Sequence, residues 1–474
     1  MHSTPEPRGC GRQAWWRSVF AAGIVICAGG CATSSYQPWL NRPLEAAAPA
    51  SAKATATANS DSLLLVVNFS GGGSRAAAFA YGILDKLQQT RVEWQGRAVS
   101  LRDEIDILSG VSGGSITAAY FAASAEPDFN AFKTRFLARD FESELIAQAL
   151  EPATAIRLGS PWYGRGNLLA DRLDADLFHG VTFGQLRALR PGLSLYITAT
   201  DLSLGTAFTF TRRQFALMCS DLDSVPLAVA VAASSAVPIL FSPITLKNFA
   251  GACAMPPAPL APPATGGVSA RRLQRFAEEQ NTYRDAGSRP YIHLIDGALS
   301  DNLGIKRLLD DIALSGGLGR SLADGGAQRV RKVVFINVNA GHARSYAVDQ
   351  LARVPSLLEV AKGVQLGLLT RYTEETNESF AMEAARWRAE IRAAAAAERG
   401  PFSADADLYY IEVALRDHPD ADTRAMLLNI PTAYTLEKGQ LDALVDAGHR
   451  VLEVNPEFMR LLGDIAAGNA GRRQ

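Results

Sequence analysis

The sequence predicts an α/β protein with a mainly parallel central sheet and helices on both of its faces. Three observations carry this. A short run rich in β-branched residues, LLLVVNF at 63–69, passes through three glycines into a helical stretch. The same order of strand, glycine turn and helix recurs over 105–124. Further strand-like runs then alternate with helical segments toward the C-terminus. Alternating strands and helices pack as a parallel sheet covered on both sides, and such buried strands read as continuous apolar runs.

The N-terminus reads as an address. Arg8, Arg12 and Arg17 precede an apolar run at 19–28, and Ala28, Gly29 and Gly30 lead into Cys31. A basic segment, a short apolar segment and small residues make a secretory signal, too short to span a bilayer as a stable helix. The stretch resembles a bacterial lipobox. That resemblance implies removal of residues 1–30, diacylation of Cys31, and a membrane partner reached through the lipid anchor. Ala32 after the cysteine fits an outer-membrane lipoprotein of the bacterial cell envelope, facing the periplasm. An ordinary signal peptide or an uncleaved anchor is the plainer alternative. Residues 31–60 are rich in Ala, Ser, Thr and Pro. They cannot bury enough apolar surface to fold and read as a flexible tether.

The body begins at residue 61. After the strand at 63–69, helix formers with apolar spacing occupy 76–87. A second strand at 105–108 leads through the turn at 109–114 into a small-residue helix at 115–124. LSLYITAT at 193–200 is a third strand, and 208–211 extends a following hairpin. PLAVAVAASS at 226–235 is an Ala/Val-rich helix ended near Pro238. A strand at 292–295 leads into Asp296 and Gly297, and VVFINV at 333–338 is a late core strand. Residues 347–398 read as largely helical, 409–413 as a strand and 436–454 as a terminal helix. Residues 254–267 are Pro/Ala-rich and read as a loop, and 271–289 are charged and read as a surface helix with a turn; together they read as an insertion, a lid or a partner surface. The expected layout is a core at 61–310 and a C-terminal part at 311–474 that completes the sheet and the helical layer.

Composition narrows the function. With 474 residues the chain is long for one core, and length alone suggests two or three domains. Lys+Arg number 47 and Asp+Glu 48, so the basic footprint of a nucleic-acid binder is missing. After residue 31 there is no run of 18 uncharged apolar residues, which argues against a transmembrane helix in the body. The body holds two cysteines, Cys219 and Cys253. They are too few for a thiolate zinc site. In an oxidising compartment they can pair; the alternative is two buried free thiols.

Gly110-Val111-Ser112-Gly113-Gly114 is a G-x-S-x-G pattern between a predicted strand and a predicted helix. A sharp turn there strains the serine backbone and exposes its hydroxyl at the edge of the sheet, and crowding demands the glycines. A tight structural turn is the bland alternative. Gly71, Gly72 and Gly73, with Ser74 and Arg75, follow the first strand. A loop without side chains approaches a substrate closely and aims several N–H groups at one point, as an oxyanion requires. Arg75 either adds positive charge or braces the loop. Phosphate binding is the rival reading, but neither the Walker nor the dinucleotide spacing is met. For a base, none of His179, His293, His342, His418 and His449 lies in a glycine-rich turn. His342, after the late strand, is the best placed of them. Asp296 ends an apolar strand and precedes Gly297, where α/β catalytic groups gather.

Together these motifs resemble the patatin-like phospholipase family. The glycine loop with Arg75, the elbow around Ser112 and Asp296-Gly297-Ala298 carry the resemblance. TATDLSLG at 198–205, AASSAVPILFSP at 232–243 and DGALSDNLGI at 296–305 support it. Ser70 and Ala76 depart from the family, which often has Asp and Gly there. The resemblance implies a three-layer architecture and a Ser-Asp dyad. Ser112 is the nucleophile, Asp296 its base, and the amides of Gly71, Gly72, Gly73 and Gly113 form the oxyanion hole. It implies a lipid acyl-ester substrate and neither a cofactor nor a metal. A Ser-His-Asp esterase using His342 and an inactive membrane-anchored scaffold remain as alternatives.

Overall fold

The run LLLVVNF forms β1 (Leu63–Phe69) near the middle of an eight-stranded sheet. The computed structural model describes residues 39–45, 59–124, 128–253, 268–343, 346, 348–350 and 352–470. Residues 1–30, Cys31, most of the tether and 254–267 of the insertion lie outside the described residues.

Along the chain β1 is followed by α1 (Gly73–Gln89), β2 (Ile105–Val111), α2 (Gly113–Ala123), β3 (Ser194–Asp201) and β4 (Ala207–Thr209). Then come α3 (Leu227–Ser234), β5 (Ile244–Lys247), α4 (Val268–Thr282), β6 (Tyr291–Ile295) and α5 (Lys306–Leu314). Toward the C-terminus follow β7 (Val330–Asn339), α6 (Leu357–Ala396), β8 (Phe402–Ala414) and α7 (Lys438–Glu453). The strand order is β8-β7-β1-β2-β3-β6-β5, with β4 alongside β3. The five strands from β8 to β3 are mutually parallel. β4, β6 and β5 add antiparallel pairings at the other side. One sheet thus takes strands from residues 63 to 414.

Side chains of a strand alternate between faces, so a strand apolar throughout needs cover on both. Leu65, Val67 and Phe69 belong to a core shared with Phe79 and Ile83 of α1 and Ile116 of α2. Val66 belongs to the opposite core, with Leu309 and Ile312 of α5 and Phe380 and Trp387 of α6. On that second face Phe335 of β7 meets the Phe380 ring edge-on, with centroids 5.2 Å apart. The architecture is therefore three layers, helix–sheet–helix. Among the described residues no helix is long and apolar enough to cross a membrane.

The strand β5 and the attachment of the 271–289 helix to the core were not legible beforehand. β5 carries four residues, ITLK, too few for a periodic signal. The charged stretch at 271–289 is mostly α4, and its end is fastened to the core. Tyr283 donates to Asp201 Oδ2 at 2.8 Å, and Arg289 also donates to that oxygen. Asp201 closes β3 and is fully buried. Two charge-assisted bonds to one buried carboxylate tie the insertion down firmly. Cys219 and Cys253 are disulfide-bonded, with Cα atoms 5.4 Å apart.

Candidate active site

The site forms where β1, β2 and β6 end. In register, Phe69 lies beside Gly110, Val111 beside Thr198, and Ile295 beside Thr200. The ends of β1 and β2 therefore meet at one level, with the turn after β6 beside them. β6 runs antiparallel to its neighbour β3. The rule that catalytic groups follow the carboxyl ends of parallel strands does not by itself bring Asp296 here. A five-residue strand that stops level with the end of β2 does.

Ser112 sits between β2 and α2 with φ +49° and ψ −124°, a conformation that L-residues with side chains rarely adopt. Its surroundings hold it there. The Ser112 amide donates to Ser234 Oγ at 2.8 Å, and Ser234 Oγ donates to the Thr198 carbonyl at 2.6 Å. The Ser112 carbonyl accepts from Ser115 Oγ at 2.6 Å. A Cβ on Gly113 would lie 1.9 Å from the Gly73 carbonyl oxygen, so only glycine permits the two loops to touch.

Ser112 Oγ donates to Asp296 Oδ2 at 2.9 Å, and both residues are buried. Asp296 Oδ1 accepts from the Ala298 amide at 2.9 Å. Thr200 Oγ1 donates to the Asp296 carbonyl at 2.7 Å, and the Asp296 amide donates to Ala236 O at 3.0 Å. Two bonds thus hold the carboxylate and two more hold its backbone. Burial pushes its pKa up to about 6, against the smaller lowering effects of the Ala298 amide and the Ser112 hydroxyl. A base near 6 suits proton abstraction at neutral pH better than an ordinary carboxylate.

The glycine loop lies against Ser112: a Cβ on Gly71 would be 3.3 Å from Ser112 Cβ. Its donors are not equivalent. The Gly71 amide donates to Asn302, to O at 3.1 Å and Oδ1 at 3.2 Å. This corrects the expectation that Gly71 serves as an oxyanion donor, because its N–H is already satisfied. The amides of Gly72, Gly73 and Gly113 take no protein acceptor among the described residues. They lie at the N-termini of α1 and α2, where unpaired N–H groups and helix dipoles favour negative charge.

Arg75 braces the loop. It is buried, its Nε donates to Ala340 O at 3.0 Å, and Nη1 donates to Ile430 O. Burial lowers its pKa to about 10, which leaves it charged at neutral pH. The Ser74 amide donates to Ala433 O at 2.8 Å. Ser70, in the family's Asp position, accepts from the Ala340 amide at 2.9 Å through Oγ.

The histidines are elsewhere. His293 is paired through Nδ1 with Thr245 Oγ1 at 2.9 Å, on the exposed side of β6. His449 meets Asp85, and His418 Nδ1 lies 3.2 Å from Asp420 O. His179 caps a turn in the left-handed conformation. His342 is half-buried, its pKa lowered by burial and then by the charge of Arg75. No described histidine hydrogen-bonds Ser112 or Asp296.

Several participants escaped the sequence reading. Asn302 and Ser234 lie inside quoted motifs, but nothing in the residue order assigned them to the glycine loop and the elbow. The segment 430–434 carried no signal at all. It receives Arg75 and Ser74, and Tyr434 OH donates to Ser235 O at 3.0 Å. The Tyr434 ring packs on Phe141 and Phe241, with centroids 5.9 and 5.6 Å away. Burial and the nearby charge of Asp296 both hold its hydroxyl in the protonated form.

The family model for patatin-like phospholipases matches residues 67–309, just over half of the chain. No curated protein matches by sequence. Among solved structures, human GIVD cytosolic phospholipase A2 is similar at 13% identity and a TM-score of 0.42, over 86% of this chain and 63% of that one. VipD from Legionella pneumophila is similar at 14% identity and a TM-score of 0.32, over 85% of this chain and 67% of that one. The chain thus spans under two thirds of the length of the human enzyme it resembles.

Proposed function

This chain belongs to the patatin-like phospholipase family, and on that premise we propose that it is a serine hydrolase of acyl esters in phospholipids or related lipids. The observation that carries the proposal is the 2.9 Å hydrogen bond from Ser112 Oγ to Asp296 Oδ2, beside three amides with no protein acceptor among the described residues. In this reading Ser112 Oγ attacks the acyl carbonyl while its proton passes to Asp296. The oxyanion is held by the amides of Gly72, Gly73 and Gly113. Collapse breaks the ester C–O bond, and the departing alcohol takes the proton from Asp296. Water then attacks the acyl-serine and loses its proton to Asp296. The second tetrahedral intermediate expels Ser112 Oγ, which recovers that proton, and the fatty acid leaves.

The test is covalent. A fluorophosphonate probe should label the wild-type protein at Ser112 and leave Ser112→Ala untouched. Fatty-acid release from phosphatidylcholine vesicles should follow the same pattern. A folded wild-type protein that resists the probe removes the enzyme reading in favour of a scaffold.

We further propose that Cys31 carries the lipid anchor and that the enzyme works at the periplasmic face of a bacterial outer membrane. The support is the basic, apolar and small-residue order before Cys31. Metabolic labelling with an alkyne fatty acid should mark wild type and not Cys31→Ser. Equal labelling of both would reject the anchor.

A further inference from the structure

An exposed apolar band runs from the β5 edge of the sheet to the active site. Trp39 opens it. Its ring centroid lies 5.2 Å from that of Tyr291 in β6 and 6.3 Å from that of Trp162. Trp162 is 46% exposed and Tyr291 43%. The loop that carries Trp162 joins a second pair, Ile239 and Leu240, each 59% exposed. Arg165 Nη2 donates to the Ile239 carbonyl at 2.7 Å, and the Gly166 amide donates to Ser242 Oγ at 2.9 Å. We propose that this band seats on a lipid bilayer, with the aromatic cluster at headgroup level and Ile239 and Leu240 entering the acyl layer beside the active site.

The band reaches the chemistry within a few residues. The Ala236 carbonyl accepts from the Asp296 amide at 3.0 Å, and the Phe241 amide donates to the Val237 carbonyl at 2.9 Å, which closes a turn. The Phe241 ring packs on Tyr434, with centroids 5.6 Å apart. Ile239 stands in this turn with φ +74°, a conformation that strains a β-branched residue. The strained turn holds two large aliphatic side chains in water, where they add nothing to folding. Contiguous apolar surface of this kind marks a place where the protein meets another apolar phase.

The position of the band along the chain names the occupant, and here the inference rests on the reading of Cys31 as a lipid anchor. Trp39 stands eight residues after Cys31, and eight residues span at most about 29 Å when fully extended. A folded body of this size has a radius of gyration of about 22 Å and is roughly 55 Å across. An anchored chain therefore cannot turn its far edge, β8, to the bilayer; the face around Trp39 is kept close to it. Composition agrees. Trp and Tyr rings favour the boundary between headgroups and acyl chains, and basic side chains beside them reach the phosphates. The Lys247 ammonium lies 5.7 Å from the Trp39 ring centroid, and Arg165, bonded to the Ile239 carbonyl, is exposed. Asp171, which meets the same loop through Tyr163 at 2.7 Å, is paired with Arg157 at 3.0 Å.

Tryptophan quenching tests the face on the full chain, with vesicles of phosphatidylethanolamine and phosphatidylglycerol whose acyl chains are brominated. Wild type should be quenched, and the double variant Trp39→Phe, Trp162→Phe should lose at least half of the effect. Trp94 and Trp387 are buried and supply the background. The double variant Ile239→Ser, Leu240→Ser should bind and hydrolyse these vesicles at least tenfold less well, while hydrolysis of a soluble ester stays within twofold of wild type. Circular dichroism checks that both variants fold. No quenching in wild type, equal quenching in the tryptophan variant, or unchanged vesicle binding in the Ile239 and Leu240 variant overturns the proposal. A dimer in light scattering that Leu240→Ser dissociates, without quenching, gives the face to a second copy and also overturns it. Failure of the hydrolase reading shows separately, as a wild type inactive on the soluble ester, and failure of the anchor shows in the labelling of Cys31.

Discussion

Ser112 and Asp296 are 184 residues apart in sequence and share a 2.9 Å hydrogen bond with no histidine between them. A serine paired directly with a carboxylate makes a sharp kinetic prediction. Ser112→Ala and Asp296→Asn should each lower kcat/KM by roughly 10³-fold or more, since members of one catalytic unit act together. His342→Ala should stay within about threefold of wild type. Steady-state hydrolysis of a soluble acyl ester measures all three. Loss of activity in His342→Ala on the scale of Asp296→Asn would restore the triad.

The buried carboxylate predicts a pH profile. Asp296 must be ionised to accept a proton, and its pKa stands at about 6. kcat/KM should therefore rise with pH through a single ionisation near 6 and then level off. A plateau already complete at pH 4.5 would mean that burial does not govern this group.

The same shift has an opposite consequence for stability. The folded protein keeps the Asp296 proton up to about pH 6, whereas the unfolded chain releases it near 3.8. Between those values the folded state binds more protons, so stability falls as pH rises and the loss is complete above 6. At neutral pH the charged form costs on the order of 2–3 kcal/mol. Asp296→Asn should accordingly melt above wild type at pH 7.5, with the difference shrinking toward pH 4. Thermal unfolding at the two pH values reads this directly.

Contact between the two loops predicts intolerance at a position that has no side chain to contribute. In Gly113→Ala the new Cβ would meet the Gly73 carbonyl at 1.9 Å, so the elbow and the glycine loop must separate. A displacement near 1 Å commonly costs about 10²-fold in rate. The variant should fold, as judged by circular dichroism, and lose at least that factor in ester hydrolysis.

Tyr434 predicts a role for the C-terminal third. Tyr434→Phe removes the donor to the Ser235 carbonyl and leaves that acceptor unpaired. Stability should drop by about 1–2 kcal/mol in denaturant unfolding. Turnover should fall less than tenfold, because the hydroxyl holds the frame beside Asp296 rather than the reacting atoms.

The disulfide closes a loop with a sequence separation of 34. On the chain-entropy model, Cys219→Ser with Cys253→Ser should cost roughly 3–4 kcal/mol. Ester hydrolysis by the folded double variant should be unchanged, since neither cysteine touches the site.

The residue order alone determined the parallel core, the tight turn around Ser112 and the glycine loop after the first strand. Each is a local property, readable because strand periodicity and glycine crowding act within about ten residues. Three things were decided only in three dimensions. Gly71 lost its amide to Asn302, 231 residues away. Segment 430–434 came to brace Arg75 and Ser74, and the end of the insertion came to be tied to Asp201. These partners meet across the sheet and its loops. No periodicity records which distant carbonyl or amide will arrive there; packing of the whole chain selects them.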